Sequence, residues 1–520
     1  MRSLWMWLLA ILMCGLPVSK AVAQCPDRPV QGTVVSDPFG ISSQNGVLTA
    51  QVTMARSVDF AGYTHYCYKY GSGAQVMEAP TFRLNPGDHL KLEVLNRITG
   101  TDAMKMDMPA TQGAVCGDGG AMTLDSTNVH FHGLNVPPVC HQDDVINTLI
   151  QPGKPGFKFD VQIPANEPPG LYWYHPHVHG FTEFQVNGGA SGALIVEGME
   201  KYRPEVTGLT ERVFVIRQQY LVPWVPGPYQ LTINYQVAPL FVGAKPIIQM
   251  KPGEKQFWRV ANATIQDFLQ LQLIDGKGKP APLEMIALDG YPLAKTRNQT
   301  TILVPPAGRA EFIVQAPPAG GAATFISAFY STGPTGNPDL QQNLGTIQLT
   351  GNGAASPSPK AANAEAAGPL KFADLASQPV TAQRKLFFSE EFGGTNGPIQ
   401  FYVTVEGQKQ KIFEPNEKPV IVTKVGAVED WIVENRALET HAFHIHQIHF
   451  RVMEVDGKPV ANSDLRDTIE IPYWSGKGPY PSVKLRMDFR DPTTAGTFLF
   501  HCHILLHEDL GMMHKIEVDP

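Results

Sequence analysis

The stretch His501-Cys502-His503-Ile504-Leu505-Leu506-His507-Glu508-Asp509-Leu510-Gly511-Met512 packs three imidazoles, a thiol and a thioether into twelve residues. It follows Gly496-Thr497-Phe498-Leu499-Phe500, an apolar, β-branched and aromatic run that predicts a buried strand. If that strand runs on through the histidines, its two-residue period sends His501 and His503 to one face and Cys502 to the other. One strand could then serve two metal sites. On the cysteine side, His507 and Met512 return in a loop. A thiolate with imidazoles and a weak axial thioether is the ligand set of a blue-copper electron-transfer centre. One imidazole is missing from this set. His441 is the candidate, because odd spacing separates it from His444 and His446.

The histidine side has more material. Four His-x-His pairs occur, His130 with His132, His175 with His177, His444 with His446, and His501 with His503. On strands, each pair turns both rings to one face, so the four pairs offer eight nitrogens to one cavity. Neutral imidazoles without a thiolate suit several copper ions; zinc would also accept them, but the neighbouring Cys, His and Met set favours copper.

These ligands need a scaffold, and a repeat shows what it is. Asn85-Pro86-Gly87-Asp88-His89-Leu90-Lys91-Leu92-Glu93-Val94-Leu95-Asn96 returns as the segment from Lys251 to Asn262 and again from Lys424 to Asn435. Each copy is a Gly turn, an alternating strand and an Asn nine residues after the Gly. So long a period means repeated domains and not a solenoid. The segments between are short alternating apolar runs punctuated by 48 Gly and 44 Pro, with no long helical periodicity. The chain therefore reads as all-β, with Greek-key sandwiches or barrels. Boundaries are expected near Tyr202 and in the Ala, Ser, Pro, Asn and Gly-rich stretch 351–369. The His pairs belong to the outer repeats only, and no histidine lies between Gly180 and Thr440. A shared cluster must then form where the first and last domains meet, with the middle one as spacer or substrate wall.

Length and composition narrow the classes. With 520 residues, 43% of them hydrophobic, the chain can bury about three cores at roughly 150 residues each. A net charge of −7 without a basic patch excludes nucleic acid as an expected partner. Residues 1–23 read as an export signal: Arg2, an apolar run from Leu4 to Leu16, then Ala21-Val22-Ala23. That run is too short for a stable membrane span. In an exported, oxidised protein Cys25, Cys67, Cys116 and Cys140 are expected to form two disulfides, with three connectivities open.

Together, His130-Phe131-His132-Gly133, His175-Pro176-His177, His441-Ala442-Phe443-His444-Ile445-His446 and the C-terminal stretch make the chain resemble the three-domain multicopper oxidases, among them laccases, bilirubin oxidases and cuprous oxidases. The resemblance implies three cupredoxin-like Greek-key β-sandwich or barrel domains, over 24–202, 203–350 and 370–520. It implies four copper ions. A type 1 copper would take His441, Cys502 and His507 with Met512 axial, a type 2 copper His130 and His444, and a type 3 pair His132, His175, His177, His446, His501 and His503. It further implies one-electron oxidation of phenols or aromatic amines coupled to reduction of O2 to water, with Asp143, Asp144 and Glu508 at positions of proton-relay carboxylates. Ala442 and Gln447 depart from the family's usual Pro and Gly; Gln185, Gly189 and Gly192 look like its packing residues.

Rival expectations follow. Met104, Met106 and Met108 could capture Cu(I), in a metallo-oxidase of Cu(I), Fe(II) or Mn(II), or could simply be flexible filler. A copper-free structural protein of the same fold, or a carrier with the type 1 site alone, is disfavoured by the complete ligand set. A monomer is expected. Among the remaining histidines, His65, His89, His141 and His514 read as structural or exposed, while His179 and His449 are close enough to the motifs to orient ligands.

Overall fold

The computed structural model describes residues 24–520 apart from 60–61, 73–74, 99–115, 223–224, 353–369, 394–398 and 463. The 1–23 segment, Met104, Met106 and Met108, and most of 351–369 therefore lie outside the described residues.

Paired sheets face each other in three successive sandwiches. In the first, strands Gly40–Ser42, Thr81–Leu84, Gly192–Val196, Gly170–His175 and His130–His132 form one sheet, and a second sheet is built around Val47–Val58 and His89–Asn96. Leu48, Val52 and Leu90 of one meet Phe82, Tyr172 and Leu194 of the other in a single core. The middle sandwich sets Phe214, Trp258 and Phe312 against Leu271, Phe325 and Leu344. The last sets Leu386, Trp431 and Leu485 against Phe443, Phe500 and Ile516. The strictly alternating strands, such as Phe157–Gln162 with every second residue exposed, bury one face only.

The repeat seen in the sequence has a physical cause. Gly87, Gly253 and Gly426 all take a positive φ, at 91°, 72° and 93°, which closes the turn into the strand without a side-chain clash. Asn96, Asn262 and Asn435 are each buried at the strand's far end and make the same clasp. Each Nδ2 donates to two carbonyls: of Asp125 and Ile150, of Asp267 and Val304, and of Glu439 and Ile471. Each Oδ1 accepts the amide two residues on, from Ile98, Thr264 and Ala437. Three hydrogen bonds from one amide side chain pin the strand end to the following loops, which nothing smaller than Asn can do.

The strand Gly170–His175 does not alternate because neither of its faces meets solvent. Tyr172 and Tyr174 enter the first core, while Leu171 and Trp173 pack against Val213, Val215 and Ala261 of the middle sandwich. The first and last sandwiches meet at the C-terminal end, where Asp509 accepts from the Thr182 and Glu183 amides of helix Thr182–Asn187. Disulfides join Cys25 to Cys67 and Cys116 to Cys140, choosing one of the three open connectivities. No described helix is long and apolar enough to cross a membrane.

Candidate metal centres

Strand Gly496–Cys502 ends with the thiol of Cys502 on the face opposite His501. It pairs with His441–Ile445, setting Phe443 opposite Cys502 and His444 opposite His501. On the thiol face, Cys502 Sγ lies 3.5 Å from His441 Nδ1 and 3.9 Å from His507 Nδ1, and the two nitrogens are 3.3 Å apart. All three residues are buried. Helix Leu505–Asp509 carries His507 back over the strand end, where Met512 closes the loop. Its amide donates to His507 O, and its carbonyl accepts from the Cys502 amide. Gly511 makes this return possible. It has φ +102°, and a Cβ there would stand 2.2 Å from Ile412 Cγ2. Burial pushes the Cys502 thiol up and the His507 imidazolium down, so an ion entering this triangle must displace the thiol proton and finds a neutral imidazole.

On the other face the four His-x-His pairs converge. His130 stacks on His446 and His132 on His444, both with ring centroids 3.9 Å apart, across the junction of the first and last sandwiches. His501 Nε2 is 3.4 Å from His177 Nε2 and 3.2 Å from His446 Nε2. His503 closes the ring, with centroids 5.1 Å from His132 and 5.5 Å from His175. Most rings are held from behind by one nitrogen. Nδ1 of His175 donates to Pro176 O, Nδ1 of His444 to Asp467 O, and Nδ1 of His501 to Cys502 O. Nδ1 of His130 faces Asp143. His130 Nε2, His132 Nδ1, His175 Nε2, His444 Nε2 and both nitrogens of His503 are buried with no hydrogen-bond partner.

So many orphaned ring nitrogens in one place would each cost about 1–3 kcal/mol unless something binds them. Burial, reinforced by neighbouring imidazoles, keeps His130, His132, His177, His444, His446 and His503 well below the usual pKa, hence neutral and able to ligate. Thiolate with imidazoles on one side and imidazoles alone on the other are the donor sets that fit copper.

Residues 122–201 and 393–520 match family models described as multicopper oxidase. The chain is 26% identical over 461 residues to the multicopper oxidase mco of Staphylococcus aureus, covering 84% of this chain and 81% of that one. It is 25% identical over 431 residues to a laccase of Bacillus subtilis, covering 76% and 80%. Its fold superposes on the solved Campylobacter jejuni multicopper oxidase, a metallo-oxidase, with a TM-score of 0.69 at 23% identity over 95% and 96% of the two chains. The chain belongs to the multicopper oxidase family.

This oxidase, an O2-reducing oxidoreductase, surrounds its histidines with acids. Glu508 is fully buried, with Oε2 3.2 Å from His501 Nδ1 and Oε1 3.5 Å from His177 Nε2. Burial, then the charge of Asp509, holds its carboxyl well above the carboxylate range. Asp143 accepts from the Phe131 amide and from Gln447 Nε2 while facing His130; burial outweighs these donors and raises it to about 8. Asp144 is half-buried and turned elsewhere, accepting from the side chain and amide of Asn147.

Sequence reading missed several residues of the oxidase's two sites. Asp467 lies 3.3 Å from His132 Nε2 and is held by both terminal nitrogens of Arg309, at 2.7 and 2.5 Å. Arg309 comes from the middle sandwich, so that domain is more than a spacer. It also donates to Leu171 O of the first sandwich. No spacing signal marks these residues, since their partners are over a hundred positions away. At the thiol site, Glu390 Oε1 is 3.4 Å from His441 Nε2 and Glu439 Oε2 is 3.7 Å from His507 Nε2, while Phe401 stacks on His507 at 4.0 Å. The position of Glu439, two before His441, was the available hint. Among the leftover histidines, His449 binds Asp289 O and lies 3.7 Å from Asp467, whereas His179 packs edge-on to Phe413.

Proposed function

We propose that the chain is an exported, laccase-like multicopper oxidase that oxidises phenolic or aromatic-amine donors one electron at a time. In this reading His441, Cys502 and His507 hold a type 1 copper with Met512 axial, His130 and His444 a type 2 copper, and His132, His175, His177, His446, His501 and His503 a type 3 pair. The observation that carries it is the single strand whose thiol face serves one group of ligands and whose histidine face serves the other. Bound copper would supply one-electron acceptance on the thiol side and four-electron reduction of O2 to two waters on the histidine side. The chain supplies the rest. The backbone on either side of Cys502 is a covalent route to His501 and His503. Glu508 keeps a proton beside His177 and His501, and Asp143 orients His130. Both disulfides suit an oxidising compartment such as the periplasm or the exterior.

A second reading, a metallo-oxidase of Cu(I), Fe(II) or Mn(II), has its own support. Glu390 and Glu439 place two carboxyls at the outer edges of His441 and His507. Burial and the charge of Glu390 raise Glu439 to about 8, so a cation there would be stabilised by taking up its proton's place. Oxygen uptake by the copper-loaded protein decides between them. The laccase reading expects turnover with phenols that survives Glu439→Gln and Glu390→Gln. Turnover only with metal ions, lost in those two variants, would favour the second, and absence of copper from the purified protein would end both.

A further inference from the structure

Gln447 follows His446 directly and has φ +58°, a left-handed backbone that residues other than Gly, Asn and Asp rarely adopt. Strain of this kind persists only where the surroundings over-determine it. Here two bonds do so, both running from the last sandwich to the first. Gln447 Nε2 donates to Asp143 Oδ2 at 2.5 Å, and Gln447 O accepts from Asn135 Nδ2 at 3.0 Å. The side chain is buried, at 2% exposure. Asp143 passes the contact on, since its two oxygens lie 3.1 and 3.0 Å from His130 Nδ1. Directly across the junction, the His130 and His446 rings stack with only 13° between their planes.

We propose that Gln447 is a positioning residue for the histidine cluster: through Asp143 it fixes the plane of His130, and through its own backbone the approach of His446, so that His130 faces the type 2 ion and His446 the adjoining type 3 pair. This rests on the copper reading above. Two substitutions separate the side chain's role from the backbone's. Gln447→Gly accepts the positive φ and removes the donor, and Gln447→Asn accepts it too but is one methylene too short to reach Asp143.

Both variants are expected to keep the blue band of the Cys502 site. Both should lose the type 2 copper about ten- to a hundredfold more readily than wild type, read as disappearance of the type 2 EPR signal during titration with a chelator. With the backbone strain relieved, their copper-free forms should unfold in urea no earlier than wild type. Wild-type chelator midpoints in both variants would overturn the inference alone. So would early unfolding with loss of the blue band, which would make Gln447 a general prop. A wild-type protein without any type 2 signal would overturn the copper reading as well.

Discussion

At the scale of single residues, environment decides what each ionisable group does. Glu508 and Asp144 are both acids near a ligand motif, yet one is sealed between two imidazoles and the other serves a turn. Glu508→Gln is therefore expected to slow O2 reduction by about a hundredfold, the usual worth of a positioned proton donor, while the blue band and copper content stay unchanged. The pH dependence has a definite sign. Burial, then the charge of Asp509, raises this carboxyl, so the wild type gives up the proton at higher pH than an ordinary carboxyl does and its rate falls as rising pH removes it. The Gln variant should lack that limb, and stopped-flow reoxidation across a pH series would show it; an unchanged rate would remove Glu508 from proton delivery. The His-x-His pairs were legible because alternation is a local property of any strand. Asp467 was not, and Gln447 showed only as a departure from the family's usual Gly, because their meaning lies in partners that only folding brings near.

At the scale of elements, the thrice-repeated Gly turn, strand and Asn is the unit from which the scaffold is made. The middle copy, whose sandwich carries no histidine, isolates its structural role. Asn262→Ala removes the three buried hydrogen bonds of the clasp and takes the Nδ2 donor from the carbonyls of Asp267 and Val304, of which Asp267 keeps another donor, the Thr264 hydroxyl. The expected loss is roughly 3 kcal/mol. Urea unfolding of the copper-free protein measures it, and a shift within experimental error would mean that the repeat reflects ancestry without present mechanical use. The strand Gly496–Cys502 shows the opposite economy, as one element shared by two sites. Its alternation could be read from sequence, whereas the return of His507 depends on Gly511 passing close under Ile412, a contact with no local signature.

At the scale of the whole molecule, the middle sandwich carries no histidine but does carry the buried link among all three. Burial opposes the Arg309 charge, yet Asp467 and Asp289 outweigh it and hold the guanidinium above its ordinary value. Arg309→Met would strand Asp467 as an unpaired buried charge, at about 3–5 kcal/mol. Adding Asp467→Leu should recover most of that stability, since a buried pair is replaceable by apolar packing. His132 would still lack its carboxylate, so copper retention should stay impaired in the double variant. Calorimetry beside copper analysis tests both halves, and full recovery of copper binding would show that Asp467 does nothing for His132.

What the amino-acid order alone determined is everything that depends on near neighbours: all-β alternation, the repeated units, and the split of one strand between a thiol face and an imidazole face. The tertiary structure alone decided which cysteines pair, that Asp143 and not Asp144 meets His130, and that Arg309, Asp467 and Gln447 bind the sandwiches around the cluster. The reason is physical. Periodicity is imposed by the backbone within a few residues, whereas a buried charge or amide is placed by whichever distant segment satisfies it once the cores have closed.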